Sequence, residues 1–270
     1  MFPLDKRIFV STLALTQPEE REALINREIG IEIFAEGPEW RDPEKGIDFA
    51  KALLRQHKGP RSLHAPFFDL NLAAENYPSI RKLTLQILQG IIKRAPELGC
   101  EYVIIHPSSY SSHIFNPDGT RQRVKEALNI LAREAQQAGI KLAVENVGFG
   151  PTQLFASQEY ISLFYEIDGL VALLDVGHAY LNGWDIPQVI GQLGEKLAAL
   201  HLHDNRGQAD EHLPLGRGKI NFQPIWEALI CTRAKPALVL EYYRVPVAKV
   251  LTDINYLQRI FGKEENKQCS

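Results

Sequence analysis

The chain has 270 residues, of which 45% are hydrophobic and 23% are charged, and its formal net charge is -3. This composition excludes an intrinsically disordered chain and argues against a basic nucleic-acid binder, and the three cysteines, Cys100, Cys231 and Cys269, exclude a disulfide scaffold. The opening residues lack the apolar segment of a secretory signal and no apolar run reaches membrane-spanning length, so we expect a cytoplasmic protein without membrane contact.

Short apolar runs alternate with stretches of helical periodicity along the whole chain. The runs predict eight strands: Arg7–Leu13, Gly30–Phe34, Ser62–Ala65, Tyr102–His106, Lys141–Glu145, Leu170–Asp175, Leu197–His203 and Ala237–Glu241. The periodic stretches predict eight helices: Pro18–Glu28, Pro43–His57, Pro78–Leu98, Arg121–Ala138, Ser157–Glu166, Asp185–Leu193, Phe222–Ile230 and Val247–Ile260. Eight strand–helix units predict an α/β fold, a single-domain (β/α)8 TIM barrel over residues 1–261, followed by a flexible tail over residues 262–270.

Six successive predicted strands, from the third to the eighth, carry a histidine or an acidic residue as their last or next-to-last residue. These residues are His64, His106, Glu145, Asp175, the pair His201 and His203, and Glu241. One such residue alone is more often structural or a helix cap. In a barrel, however, the strand ends converge on one face, and burying so many imidazoles and carboxylates without a cation would be costly. The pattern therefore predicts a divalent metal site with nitrogen and oxygen ligands.

A long polar loop is predicted after the seventh strand, over residues 204–219. Asp210 and His212 lie two residues apart, so both could face inward if the stretch is extended. Taken alone, the stretch is typical of a solvated loop. Six of the eight histidines lie at predicted strand ends or beyond them in the following segments, including His178 three residues after the sixth strand. The other two, His57 and His113, are predicted to lie on the surface.

Several short motifs occur in one order from the third strand to the eighth. They are His64-Ala65-Pro66, Ile105-His106-Pro107, Val144-Glu145-Asn146, Leu174-Asp175-Val176-Gly177-His178-Ala179, His201-Leu202-His203-Asp204, Asp210-Glu211-His212, Leu215-Gly216-Arg217-Gly218 and Leu240-Glu241. With these motifs the chain resembles the xylose isomerase-like TIM barrels, the superfamily of endonuclease IV and many sugar isomerases and epimerases. The resemblance is specific for the fold and superfamily, but not for the substrate.

The resemblance implies a set of metal ligands. In the isomerase and epimerase branch one metal is usual, and the matching residues are Glu145, Asp175, His201 and Glu241. In the endonuclease IV pattern three metals are held, and the additional matching residues are His64, His106, His178, Asp210 and His212. We therefore expect one divalent ion (zinc, manganese, cobalt or magnesium), with up to three allowed by the endonuclease pattern.

The favoured hypothesis is a metal-dependent isomerase or epimerase. It would act on a sugar, a sugar phosphate or a related hydroxy-ketone through a metal-stabilised enediolate. The resemblance assigns proton transfer to Glu145 and Glu241, which also bind the metal. It assigns substrate contacts to His178, His203, Arg206 and Lys219, and it allows a homo-oligomer.

Three alternatives stay open at this point. An endonuclease IV-like zinc phosphodiesterase would use all nine matched ligands, but nuclease members have asparagine where this chain has His203, and the net charge does not favour nucleic acid as a partner. A lyase or dehydratase would begin with the same proton abstraction. A non-catalytic metal or sugar binder would not need two glutamates on the metal.

Overall fold

The computed structural model describes residues 4–14, 18–25, 27–107 and 117–262. Eight parallel strands form a closed barrel in chain order, and β8 pairs with β1. The strands are β1 Ile8–Ser11, β2 Gly30–Phe34, β3 Arg61–His64, β4 Tyr102–Ile105, β5 Lys141–Glu145, β6 Leu170–Asp175, β7 Leu197–Leu202 and β8 Ala237–Leu240. The predicted single-domain (β/α)8 TIM barrel is confirmed.

Nine α-helices lie in the described part of the chain. They are α1 Pro18–Ile25, α2 Pro43–Leu53, α3 Pro78–Arg94, α4 Pro117–Ala138, α5 Ser157–Glu166, α6 Val176–Leu181, α7 Ile186–Leu193, α8 Gln223–Cys231 and α9 Val247–Phe261. Helix α2 shows why such segments begin where they do. The Asp42 carboxylate accepts hydrogen bonds from the N–H groups of Glu44 and Lys45 at 3.0 and 3.4 Å, and Pro43 occupies the first turn.

The predicted elements agree with the structure except at a few places. Every strand end lies within two residues of its predicted position. Helix α2 ends at Leu53 rather than at the predicted His57, and α3 ends at Arg94 rather than at Leu98. Helix α4 begins at Pro117, four residues before the predicted Arg121. The sequence interpretation also missed α6, a six-residue helix that directly follows β6 and carries His178.

The described residues group into two compact units. The first unit comprises those within Met1–Glu32, Gln56–Pro60 and Leu174–Ser270. In this unit β1 pairs in parallel with β2 and with β8, and β7 pairs with β8. The paired strands are almost wholly buried, so a polar side chain within them must find its partners inside the protein.

The second unit comprises the described residues within Ile33–Arg55 and Arg61–Leu173. In it β3, β4, β5 and β6 pair in parallel. The buried hydroxyl of Tyr160 on α5 lies 2.9 Å from the carbonyl oxygen of Val144 and 2.6 Å from that of Leu173. These contacts fix α5 against the carboxyl-terminal parts of β5 and β6.

The prediction that His57 lies on the surface is wrong. The side chain is buried, and its Nδ1 lies 2.8 Å from the carbonyl oxygen of Ile25, to which it can donate a hydrogen bond. The hydrogen bond to Ile25 gives one ring nitrogen a partner inside the protein and so reduces the cost of burying the side chain. The surface prediction for His113 and almost all of the predicted tail, residues 263–270, lie outside the described residues.

Among the described residues, no helix combines the length and the apolar character needed to cross a membrane.

Candidate metal centre

One group of ligand-type side chains lies in the second unit, at the carboxyl ends of β3, β4 and β5. His64 ends β3, Glu145 ends β5, and His106 directly follows β4. The Nε2 atoms of His64 and His106 lie 3.3 and 3.2 Å from the same Glu145 oxygen, Oε2. These three residues, all predicted metal ligands, lie next to one another and are here called the β3–β5 cluster.

Neighbouring groups orient both imidazoles of the β3–β5 cluster. Nδ1 of His64 lies 3.0 Å from the carbonyl oxygen of Ala65, to which it can donate a hydrogen bond, and this contact turns Nε2 toward Glu145. The ring of Phe67 stacks on His106 with centroids 4.1 Å apart. Two ring nitrogens and a carboxylate oxygen within 4.8 Å of one another suit the ligand preferences of a divalent cation.

A second group lies in the first unit around His201, which is fully buried in β7. Its Nδ1 lies 3.1 Å from Oε2 of Glu241 and 3.7 Å from Oδ2 of Asp175. Its Nε2 lies 3.0 Å from Oε1 of Glu32. These four residues are here called the His201 group. An imidazole nitrogen and carboxylate oxygens that lie so close together and are all buried fit a bound divalent cation.

Asp175 connects the His201 group with α6. Its Oδ1 accepts a 2.6 Å hydrogen bond from the N–H of His178 and so caps the amino end of α6. Its Oδ2 lies 2.9 Å from Nε2 of His203. The backbone cap fixes the carboxylate, and the carboxylate in turn fixes the His203 ring.

Asp210 holds two further histidines in the first unit. Its Oδ2 lies 3.1 Å from Nε2 of His178 and 3.1 Å from Nε2 of His212. Nδ1 of His212 lies 2.9 Å from the carbonyl oxygen of Glu241, which ties this trio to the end of β8. The other Asp210 oxygen, Oδ1, is buried and has no hydrogen bond within the described chain. The trio therefore presents nitrogen and oxygen atoms of the kind that bind a cation, as the endonuclease pattern implies.

The electrostatics of the trio favour a charged pair in the absence of metal. Burial lowers the pKa of His212, but the hydrogen bond with Asp210 and the charges of Glu241, Asp210 and Asp175 outweigh it and raise the pKa to about 9. Burial raises the pKa of Asp210, but the hydrogen bonds with His178 and His212 outweigh it and hold the pKa far below its usual value. In the metal-free protein the proton on His212 therefore balances the negative charge of Asp210.

The loop that carries Asp210 and His212 is held by Asp204. The Asp204 N–H and carbonyl pair with those of Leu213 at 2.9 Å or less. Its buried carboxylate accepts hydrogen bonds from the N–H groups of Asn205, Gly218 and Ile220 at 2.9, 2.7 and 3.1 Å. Both ends of the loop are therefore fastened at one residue, and the stretch is an ordered part of the site rather than a freely solvated loop.

The two predicted cationic substrate ligands lie on the exposed part of this loop. Arg206 forms an ion pair with Glu211, and the Glu211 carboxylate also accepts the Arg206 N–H at 2.8 Å. Lys219 is exposed, and its backbone N–H donates to the Asn205 carbonyl at 2.8 Å. The substrate-contact roles of Arg206 and Lys219 therefore stay predictions.

Glu32 belongs to the His201 group, yet sequence reasoning missed it. It sits in the middle of β2 between two isoleucines, and its side chain is fully buried. A carboxylate inside an apolar strand was the available signal, since such a group requires a buried partner. The assignment of Glu145 to the ion bound by Asp175, His201 and Glu241 remains a prediction.

Comparison with known proteins gives matches along most of the chain. A family model described as "Xylose isomerase-like TIM barrel" matches residues 27–260. An uncharacterized protein of Methanocaldococcus jannaschii is 32% identical over 243 residues, which cover 84% of this chain and 80% of that protein. Endonuclease 4 of Thermus thermophilus is 30% identical over 209 residues, which cover 70% of this chain and 73% of the enzyme.

Among solved structures, a D-tagatose 3-epimerase-like protein superimposes with a TM-score of 0.83. It is 25% identical in sequence, and the match covers 96% of this chain and 98% of that one. The chain is thus similar both to a protein described as D-tagatose 3-epimerase-like and to an endonuclease 4.

Proposed function

The chain belongs to the xylose isomerase-like TIM-barrel family, and from this premise we propose that it is a divalent-metal-dependent isomerase or epimerase. Its substrate would be a sugar, a sugar phosphate or a related hydroxy-ketone. The observation that carries the proposal is the position of Glu241. Its carboxylate is nearly fully buried and lies 3.1 Å from Nδ1 of His201, where a ligand that also accepts a proton is needed.

In this proposal Asp175, His201 and Glu241 hold the ion, and their contacts within the first unit support that role. Glu145 is included as the fourth ligand only because the family resemblance implies it. A bound divalent ion would polarise the substrate carbonyl and its neighbouring hydroxyl and so acidify the hydrogen on the carbon between them.

The residues of the chain then carry the proton. We assign removal of the proton beside the carbonyl to one of the two glutamates, Glu241 or Glu145, and its return on the opposite face to the other. His178 and His203 would bind substrate hydroxyl groups, and Arg206 and Lys219 would contact oxygens far from the reacting carbon. Burial of Glu241 excludes water from the carboxylate and strengthens its interaction with a substrate proton.

The similarity to the D-tagatose 3-epimerase-like protein supports this choice over other reactions, since it extends over nearly the whole of both chains. Fold similarity alone does not fix a reaction, so the proposal depends on a direct test.

The test is exchange of a substrate α-proton with deuterated water. The purified protein is loaded with Mn²⁺, Co²⁺ or Mg²⁺ and incubated with a panel of ketoses, ketose phosphates and inositol-derived ketones. Deuterium should enter at the carbon beside the carbonyl, and an epimer or isomer should accumulate. Loss of water from the substrate would instead indicate a lyase, and absence of exchange across the panel in any metal form would refute the proposal.

Matched variants connect the activity to the site. Glu241→Gln should abolish exchange, whereas Glu227→Gln, which changes an exposed glutamate on α8, should leave it unchanged. Equal activity in both variants would remove Glu241 from the mechanism.

A zinc phosphodiesterase acting on abasic DNA is the second candidate, because two specific observations favour it. The β3–β5 cluster and the Asp210 trio each bring further predicted ligands together, and clustered metal ions suit displacement at phosphorus. Incision of an abasic-site duplex by the zinc-loaded protein tests it. Metal content separates the two candidates, since one ion per chain favours sugar chemistry and three favour phosphodiester hydrolysis.

A further inference from the structure

Glu32 is the one fully buried carboxylate of the His201 group that the metal-ligand prediction does not include. It is held in β2, where its neighbour across the β1 pairing is the buried Ser11. A buried carboxylate is costly unless a hydrogen-bonding or charged partner compensates it. Its partner is Nε2 of His201, 3.0 Å from Oε1 across 169 residues of sequence.

The two nitrogens of His201 face different carboxylates. Nε2 faces Glu32, while Nδ1 faces Glu241 at 3.1 Å and Asp175 at 3.7 Å. The nitrogens point to opposite sides of the ring, so a single ion cannot bind both. Carboxylates only accept hydrogen bonds, so each nitrogen faces an acceptor. A cation held by Nδ1, Glu241 and Asp175 would take the place of a proton on Nδ1, and the one remaining ring proton would lie on Nε2, where it donates to Glu32.

We propose that Glu32 is a positioning residue that prepares His201 for metal binding through Nδ1. The Glu32 carboxylate selects the Nε2–H form of the imidazole, fixes the ring orientation and increases the electron density at Nδ1. Glu32 acts through His201 and does not touch the ion or the substrate. This inference rests on the proposed metal site, and it adds a residue that neither the sequence pattern nor the family ligand set contains.

The test measures Co²⁺ binding by the full-length protein, stripped of metal with a chelator, in competition with a coloured chelator. The visible spectrum of bound Co²⁺ reports ligand geometry independently of activity. We expect Glu32→Gln, which keeps a hydrogen-bond acceptor but loses the charge, to bind Co²⁺ about 10-fold more weakly, and Glu32→Ala about 100-fold more weakly, with altered spectra. The matched control is Asp253→Asn, because Asp253 is a buried carboxylate of the same unit that instead pairs with Tyr242 and Lys249. It should bind Co²⁺ like the wild type.

Four results would overturn the inference. Wild-type affinity and spectrum in Glu32→Ala would show that Glu32 does not position His201, and an equal loss in Asp253→Asn would show a general effect of removing a buried charge. A loss in Glu32→Gln as large as that in Glu241→Gln would make Glu32 a ligand. If the folded wild-type protein binds no Co²⁺ at all, the proposed metal function fails as well. If Glu32→Ala does not fold, the Co²⁺ affinity and spectrum of Glu32→Gln, compared with those of the wild type, test the inference.

Discussion

Gly177 lies directly against the ring of His203, so close that a Cβ atom on residue 177 would come within 2.0 Å of the ring Cε1. Gly177 is the second residue of α6, and His203 is the histidine whose Nε2 contacts Asp175. The ring cannot move away without giving up that 2.9 Å contact. The absence of a side chain at residue 177 is therefore a condition for the observed position of His203.

We predict that Gly177→Ala destabilises the protein by about 1–3 kcal/mol, as overpacking of a rigid interior does. Urea unfolding measures the loss. Gly191→Ala is the control, because an added Cβ on Gly191, inside α7, meets no atom within 4 Å. It should be stabilising by about 0.5–1 kcal/mol, since alanine is the better helix former. Similar stability changes in the two variants would contradict the close approach to His203.

The stability of the metal-free protein should depend on pH through His212. The pKa of His212 is about 9 in the folded protein and 6.5 in the unfolded chain. The protonated imidazole therefore stabilises the fold fully below pH 6.5, and this contribution disappears as the pH rises through about 9. We expect the free energy of unfolding in a chelator to fall by about 2–3 kcal/mol over that range.

His212→Asn provides the control, because other groups titrate over the same range. The difference between wild type and variant should be largest below pH 6.5 and vanish above about 9. Asp210 affects stability at acidic pH. Its pKa is lowered in the folded protein, so its contribution to stability is present above pH 3.8 and is lost as the pH falls below that value. A difference between wild type and His212→Asn that is independent of pH would contradict the charged pair.

The Asp204 carboxylate should keep the loop over residues 205–219 ordered. Asp204→Ala removes the acceptor of three backbone N–H groups in a fully buried place, so we expect a loss of about 3 kcal/mol in stability and faster hydrogen exchange in this loop. The exposed cap Asp185, which accepts the Gln188 N–H at 3.1 Å, supplies the comparison. Asp185→Ala should cost about 1 kcal/mol and leave exchange in the loop unchanged.

Much of the fold follows from local patterns in the sequence, and the exceptions have physical reasons. The strands could be predicted closely because buried parallel strands are continuous apolar runs, as in Leu170–Asp175. Helix α6 could not, because six residues are too few to display a helical period, and its start depends on the cap provided by Asp175.

The candidate site was predictable only where the residue pattern repeats. His64, His106 and Glu145 each mark a strand end, and the structure brings these three together. Glu32 lies within a strand, and its role depends on a partner 169 residues away, which no local pattern reveals. His57 was wrongly predicted to lie on the surface for a similar reason. Its burial depends on a contact with the carbonyl oxygen of Ile25, 32 residues away in the sequence, which no local pattern reveals.

Glu241 and Glu32 face different nitrogens of His201, and their replacement should affect the proposed reaction differently. Glu241→Gln removes a carboxylate next to Nδ1, and we expect it to reduce α-proton exchange by about 100-fold or more, because both ion binding and proton transfer are lost. Glu32→Gln acts on Nε2, so its activity should return toward the wild-type rate when Co²⁺ is raised to saturation. Glu241→Gln should stay inactive at any Co²⁺ concentration, because a proton acceptor is missing. Rates measured against Co²⁺ concentration distinguish the two, and recovery of Glu241→Gln at high Co²⁺ would reduce that glutamate to a ligand without a part in proton transfer.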